Sequence, residues 1–225
     1  NEIIVSSLAN LTPEIPIISE ESDIADYSVR SHWQLYWLID PLDGTRSFVQ
    51  GTDEFTVNIA LIESHYPILG VVHSPVEKST YWGAVGVGAY RSLAEFDEPT
   101  SINAGQLNNS YIRMLISRSG MNDGVEAFKR NLEADSFTCE VLRSSSSIKF
   151  CRAAEGTVDV FLRFGTTSEW DTAAGQCVLE CAGGSVIDLD NNRLKYNKAD
   201  TKLRNPKFLA IGSGGLDWQR YLPEK

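Results

Sequence analysis

The stretch Trp37-Leu38-Ile39-Asp40-Pro41-Leu42-Asp43-Gly44-Thr45 limits what this chain can fold into more than any other. Residues 36–39 are apolar and suit a buried strand. Asp40 sets a carboxylate at the strand end. Pro41 has no N–H to continue a ladder, so the strand is expected to stop there. Asp43 follows three residues later, so one turn can aim both carboxylates at one point. Gly44 lets backbone approach a ligand closely, and Thr45 adds a hydroxyl. Two carboxylates beside a bare turn make a site for a hard cation that can also hold an anion. Asp-Gly is also a common turn pair, and a solvated turn is the competing reading.

A chain of 225 residues can form one large domain or two small ones. Thirty acidic residues against 20 basic ones leave a net charge of −10. No basic surplus exists to neutralise phosphates, which argues against a nucleic acid polymer as partner. An anionic ligand would need its charge offset here, and a divalent cation is the simplest means. No apolar run approaches the roughly 20 residues of a membrane span, and no signal-peptide pattern is present. Peripheral contact with a membrane stays open. Cys139, Cys151, Cys177 and Cys181 lack the pairings of a zinc site and read as buried thiols, which fits a reducing compartment such as the cytoplasm. The three histidines are scattered and receive no catalytic role.

Along the chain, residues 1–11 have the period of an amphipathic helix, and residues 15–19 form a short strand that delivers Glu20 and Glu21. Residues 22–34 are polar and read as a loop. Residues 46–50 suit a short helical turn. Strands follow at 55–61, 67–72, 80–82 and 89–90, spaced as hairpins of an antiparallel sheet. The glycines at 83, 86 and 88 have the order GxxGxG between two strands, which suits a hairpin and not a dinucleotide loop. Polar residues 97–110 suggest a boundary near residue 109. The expected organisation is an antiparallel-sheet part, 1–109, carrying most of the acidic set, and an α/β part, 110–225, completing the site. In the second part, strands are predicted at 112–117, 137–142, 158–164, 185–189 and 208–211, with helices at 125–132, 144–155 and 172–182.

Two groups of residues could carry chemistry. Glu20, Asp40 and Asp43 sit at strand ends or turns, and Asp171 opens the predicted helix 172–182. As a helix N-cap, Asp171 has a purely structural alternative. Two carboxylates ~4 Å apart repel by about 4 kcal/mol at an effective dielectric near 20, so a converging set would need a metal. The second group would take phosphate. Gly44-Thr45 offers backbone N–H groups, and Ser144-Ser145-Ser146-Ser147 reads as a hydroxyl-rich helix start. Simple serine capping is the alternative. Lys149 and Arg163 could pair with a second anionic group.

Taken together, these motifs resemble those of the inositol monophosphatase superfamily of metal-dependent, lithium-sensitive phosphatases. Residues 37–45 are similar to its first signature and Glu169-Trp170-Asp171-Thr172-Ala173-Ala174-Gly175 to its second, with Ser19-Glu20-Glu21 as the upstream acidic element. Phe55 to Leu61, Ile116 to Ser119, Ser146 to Cys151 and Arg163-Phe164-Gly165 resemble segments of the CysQ-type 3′(2′),5′-bisphosphate nucleotidases. The resemblance implies hydrolysis of 3′-phosphoadenosine 5′-phosphate to AMP and phosphate, a role in sulfur metabolism, and two or three Mg²⁺ ions. It assigns Glu20, Asp40, Asp43, Asp171 and the Leu42 carbonyl as metal ligands. Thr45, Asp43 and Glu20 become the catalytic set, with Thr45 orienting the attacking water. Substrate contacts fall to Glu20, Leu42, Asp43, Gly44, Thr45, Ser145, Ser146, Lys149, Arg163 and Asp171. The implied fold mixes α+β and α/β character in a layered αβαβα sandwich, with the N-terminal helical layer largely missing from these residues. That layer carries an aspartate that pairs with the threonine matching Thr45. Arg46-Ser47, Gly120 and Ser145 depart from the nucleotidase pattern, which keeps an inositol or sugar monophosphatase as an alternative, and the missing helical layer keeps a non-catalytic, metal-dependent nucleotide binder as another.

Overall fold

Residues 1–93, 97–107, 110–118, 120–200 and 202–223 are described by a computed structural model. In chain order the elements are α1 (Glu2–Leu11), β1 (Ile17–Ser19), α2 (Tyr27–Arg30), β2 (Leu35–Asp43), α3 (Thr45–Val49), β3 (Thr56–Glu63), β4 (Tyr66–Ser74), β5 (Ser79–Ala84), β6 (Gly88–Ser92), β7 (Thr100–Ile102), β8 (Gly105–Gln106) and β9 (Tyr111–Ser117). There follow α4 (Asp123–Ala134), β10 (Thr138–Ser144), α5 (Ile148–Ala154), β11 (Val160–Arg163), a 3₁₀ turn (Glu169–Asp171), α6 (Ala173–Cys181), β12 (Ser185–Asp188), β13 (Phe208–Ile211), β14 (Ser213–Gly214) and a 3₁₀ turn (Trp218–Tyr221).

The first sheet takes β1 to β7 in sequence order. It is antiparallel except where β1 runs parallel to β2, pairing Ser19 with Ile39. The second sheet has the order β10-β9-β11-β13-β12; its first three strands are parallel and its last three antiparallel. The second half of the chain is therefore mixed. α5 and α6 pack against the first sheet, so residues from both halves share one core, from Ile18 and Tyr36 to Phe161 and Phe208. A second core lies under α4, where Phe128 and Leu132 meet Trp218 and Tyr221. The expected boundary near residue 109 falls outside the described residues.

A row of small residues sets how closely α6 approaches the first sheet. Ala60 pairs with Gly70, Gly70 with Gly83, and Gly83 with Ala89, which makes a shallow trough across four strands. A β-carbon at Gly70 would lie 2.5 Å from the Ala174 carbonyl oxygen and 2.7 Å from Cys177 Cβ. Of the three glycines of the GxxGxG set, Gly86 and Gly88 serve the hairpin with φ of +80° and +112°, whereas Gly83 is a seat for α6.

Several sequence expectations are corrected. Pro41 does not end β2; the ladder shifts register between Asp40 and Asp43 and resumes, so the bulge absorbs the missing donor. Residues 22–34 include α2, whose Arg30 is 1% exposed. Its guanidinium donates to Asn197 Oδ1 and to the carbonyls of Lys198 and Asp200, pinning the segment before β13. The helix expected from Ser144 starts later: β10 keeps Ser144, Ser147 takes the N-cap position, and α5 begins at Ile148. The inward face of β3, which the alternation leaves open, carries Thr56, Asn58, Ala60 and Ile62, while Val57, Ile59 and Leu61 are partly exposed.

Gly70→Ala should lower unfolding free energy by about 1–3 kcal/mol, because backbone and a buried Cβ of α6 block the methyl. Gly86→Ala, with nothing within 4 Å of the added carbon, should cost only the left-handed backbone penalty of about 1–2 kcal/mol. Urea denaturation at constant m-value measures both.

Candidate metal centre

Strand register assembles the acidic cluster. Parallel pairing of β1 with β2 ends at Ser19 and Ile39, and the Glu20 N–H donates to the Ile39 carbonyl at 3.1 Å, so Glu20 emerges beside Asp40. The 3₁₀ turn before α6 packs on β2 and β3 and brings in Asp171 from the other half of the chain. Carboxylate oxygens of Glu20, Asp40 and Asp171 lie within 4.8 Å of one another. The structural alternative for Asp171, a cap on α6, is not what the fold uses it for. Asp171 closes a capping box with Ser168, whose N–H donates to Asp171 Oδ2 at 2.8 Å, and Thr172 takes the N-cap position. Two residues earlier, Glu169 points the opposite way. Fully buried, it pairs with Lys198 at 2.8 Å and accepts from the N–H groups of Asn197 and Lys198.

These carboxylates are not comfortable as neighbours. Burial and the charges of Asp43, Glu20 and Asp171 push Asp40 up to about 10. Burial, with Asp43 next, pushes Asp171 up to about 7. Glu20 is raised mainly by burial. Asp40 Oδ1 accepts the Leu42 N–H at 2.9 Å, while Asp40 Oδ2 is buried with no hydrogen-bond partner. A buried carboxylate oxygen without a donor, facing two other carboxylates, fits a hard divalent cation.

Asp43 adds a fourth carboxylate whose charge acts on Asp40 and Asp171, and its own hydrogen bonds reach toward the other half of the chain. Ser147 Oγ lies 2.6 Å from Asp43 Oδ2, and Thr56 Oγ1 and Asn58 Nδ2 each lie 3.4 Å from the same oxygen. Thr45 is exposed, and its hydroxyl donates to the Leu42 carbonyl at 3.2 Å. Gly44 turns the chain with φ of +92°, and a β-carbon there would meet the Glu54 carbonyl oxygen at 2.8 Å. Of the two predicted serine contacts, Ser145 gives its N–H to Glu54 at 2.9 Å, whereas the buried Ser146 hydroxyl has no partner.

An open cleft of about 470 Å³ runs from Asp43, Gly44 and Asp171 to Ser146, Lys149 and Arg163. Lys149 is 6% exposed; its ammonium donates to the Ser146 carbonyl and sits 5.2 Å from the centre of the Phe161 ring. Burial brings Lys149 down to about 8 and also lowers Arg163. The Arg163 guanidinium donates to Ser117 Oγ and the Thr166 carbonyl, and its Nε is buried without a partner. Among the described residues neither cation has an ion-pair partner.

Sequence reasoning missed Ser147, Asn58 and Thr56. The signal available for the last two was a pair of polar residues at alternate positions of an apolar strand. Ser147 belonged to a serine run already singled out, but nothing local distinguishes it from Ser145 and Ser146.

The raised carboxylates fix a sign for pH dependence. Unfolded, Asp40 and Asp171 would release their protons near their ordinary 3.8; folded, they hold them to about 10 and about 7. Their contribution to stability is thus full below pH ~4 and declines as pH rises, until about 7 for Asp171 and about 10 for Asp40. Without divalent ions, melting temperature should fall over that window. Mg²⁺ should raise it, and by more at pH 8 than at pH 5; thermal melts with EDTA or Mg²⁺ check both.

Known proteins give this geometry its setting. Residues 1–212 match the model of the inositol monophosphatase family. The 3′(2′),5′-bisphosphate nucleotidase CysQ of Haemophilus influenzae is 35% identical over 97% of this chain and 80% of its own length. The Salmonella typhimurium CysQ is 40% identical over 92% of this chain and 79% of its own. The crystal structure of CysQ from Bacteroides thetaiotaomicron superposes with a TM-score of 0.84 at 35% identity, covering 95% of this chain and 82% of that one. An inositol monophosphatase structure from Anabaena gives a TM-score of 0.74 at 26% identity, over 99% and 83%. The two signature stretches, the acidic cluster they form and the whole-length likeness agree: this chain belongs to the inositol monophosphatase family.

Proposed function

We propose that the protein is a Mg²⁺-dependent phosphomonoesterase acting on a 3′(2′),5′-bisphosphate nucleotide, with 3′-phosphoadenosine 5′-phosphate giving AMP and phosphate. One observation carries the substrate class. Among the described residues Lys149 and Arg163 are two cations without an ion-pair partner, set in one cleft with a cluster of carboxylates that needs positive charge. A ligand with two anionic groups answers both ends. One phosphate would lie by the acidic cluster with its cation, and the other would pair with Lys149 and Arg163. A neutral polyol would leave those cations uncompensated. The sequence and fold likeness to the CysQ proteins supports the same reading.

Glu20, Asp40, Asp43 and Asp171, with the Leu42 carbonyl, would hold two or three Mg²⁺ ions. Bound there, the metal would polarise the phosphoryl group and acidify a water. The chain's own residues do the rest. Gly44 keeps the turn free of a side chain, so that the scissile phosphate can reach the N–H groups at the start of α3. Thr45 orients the attacking water, and Glu20 and Asp43 flank it. Ser145 and Ser146 line the cleft and would contact the substrate.

Phosphate release from 3′-phosphoadenosine 5′-phosphate, inositol 1-phosphate and fructose 1,6-bisphosphate, each with Mg²⁺, tests the substrate. Preference for the nucleotide is expected; release from the inositol ester alone would overturn the reading. Arg163→Met should raise KM for the bisphosphate about 10- to 100-fold, as losing a charge-assisted hydrogen bond does. Because Lys149 carries its charge only below about 8, KM should also rise as pH passes that value, and Lys149→Met should flatten the profile.

A further inference from the structure

Ser147 occupies the N-cap position of α5 yet makes no side-chain bond to its own helix. Its hydroxyl is turned outward. Oγ lies 2.6 Å from Asp43 Oδ2 and 2.6 Å from the Asp171 carbonyl oxygen, and it accepts from Asn58 Nδ2 at 2.9 Å. The residue is 2% exposed. One hydroxyl therefore touches two acidic residues from opposite halves of the chain. Asn58, which donates to this hydroxyl, is the ladder partner of Asp40 on β2, so it stands beside the strand position that carries that acid.

We propose that Ser147 is a positioning residue that sets the affinity of the centre for divalent cations, an inference that rests on the metal-site reading above. Three donors converge on Asp43 Oδ2, and Ser147 is the nearest by 0.8 Å (2.6 Å against 3.4 Å for Thr56 and Asn58). Among the described residues no hydrogen bond reaches Oδ1. Ser147 thereby fixes which oxygen of Asp43 is left for an ion. The single proton of this hydroxyl goes to Asp43 Oδ2 or to the Asp171 carbonyl oxygen, the alternative acceptor at 2.6 Å on the turn that carries the Asp171 carboxylate. A serine that caps its helix would help α5 alone. Ser147 gives up that bond and couples the two sides of the site instead. Partners that orient a ligand in this way change metal affinity by about 10- to 100-fold when removed.

Mg²⁺ affinity of Ser147→Ala, read by titration calorimetry and by the Mg²⁺-dependent rise in melting temperature, tests the assignment without relying on turnover. The expected result is a dissociation constant raised about 10-fold or more. The Mg²⁺ needed for half-maximal phosphate release should rise in parallel, with kcat recovered at saturating Mg²⁺. Thr56→Val, which removes a longer donor to the same oxygen, should change affinity by less than about 3-fold, since its 3.4 Å contact is weak. Ser147→Cys keeps nearly the same shape with a poor donor. It should also weaken Mg²⁺ and serves if the alanine variant does not fold. A folded Ser147 variant binding Mg²⁺ within about 2-fold of the parent would overturn the proposal, as would an equal loss in Thr56→Val. A parent protein that binds no Mg²⁺ at all would overturn the metal-site reading itself.

Discussion

Mutual repulsion of carboxylates held out of water is the constraint on which the rest of the structure turns. Asp40 is 1% exposed, has a buried oxygen without a donor, and faces Glu20 and Asp171. No arrangement of neutral protein groups relieves such a cluster; protons or a cation must. The fold brings these acids together from β1, β2 and the turn before α6, using three separate segments. The site is thus built at a cost to the metal-free chain, which is the expected signature of a centre selected for binding and not for stability.

Precision in that arrangement comes from packing some distance from the acids. The trough of Ala60, Gly70, Gly83 and Ala89 lets α6 settle onto the sheet at backbone contact. Because the turn with Asp171 leads directly into α6, the depth of that trough sets the height of Asp171 above β2. On the other side, Glu169 and Arg30 anchor the same turn and the segment 197–200 through buried charge-assisted bonds. The electrostatic problem at the centre is held in place by steric and hydrogen-bonding solutions on both flanks.

Much of the fold and site was legible in the chain. Acids at strand ends and turns, punctuated by Pro41 and Gly44, marked the centre, and apolar runs located nearly every strand. Local reading failed where two segments compete for the same residues. Pro41 was read as a strand end because its missing N–H is a local fact, whereas the bulge that accommodates it depends on β3. The serine run was read as a helix start because serine caps helices, yet Ser144 stays in β10 through pairing with Ser117. On β3 the polar and small residues face inward. The inner face must admit α6 and serve the cleft, and hydrophobic alternation carries no information about either demand.

The sequence by itself determined the chemistry: hard oxygen ligands, a glycine turn that can take an anion, and a lysine and an arginine available for a second charge. These are properties of residue type and short spacing. Tertiary structure alone decided which groups meet. It brought Glu20, Asp40 and Asp171 within 4.8 Å of one another and gave Glu169 to Lys198 instead. It also placed Ser147 between two acids that lie 128 residues apart in the chain (171 − 43). Those outcomes depend on strand register and helix depth, which long-range packing sets and no local pattern encodes.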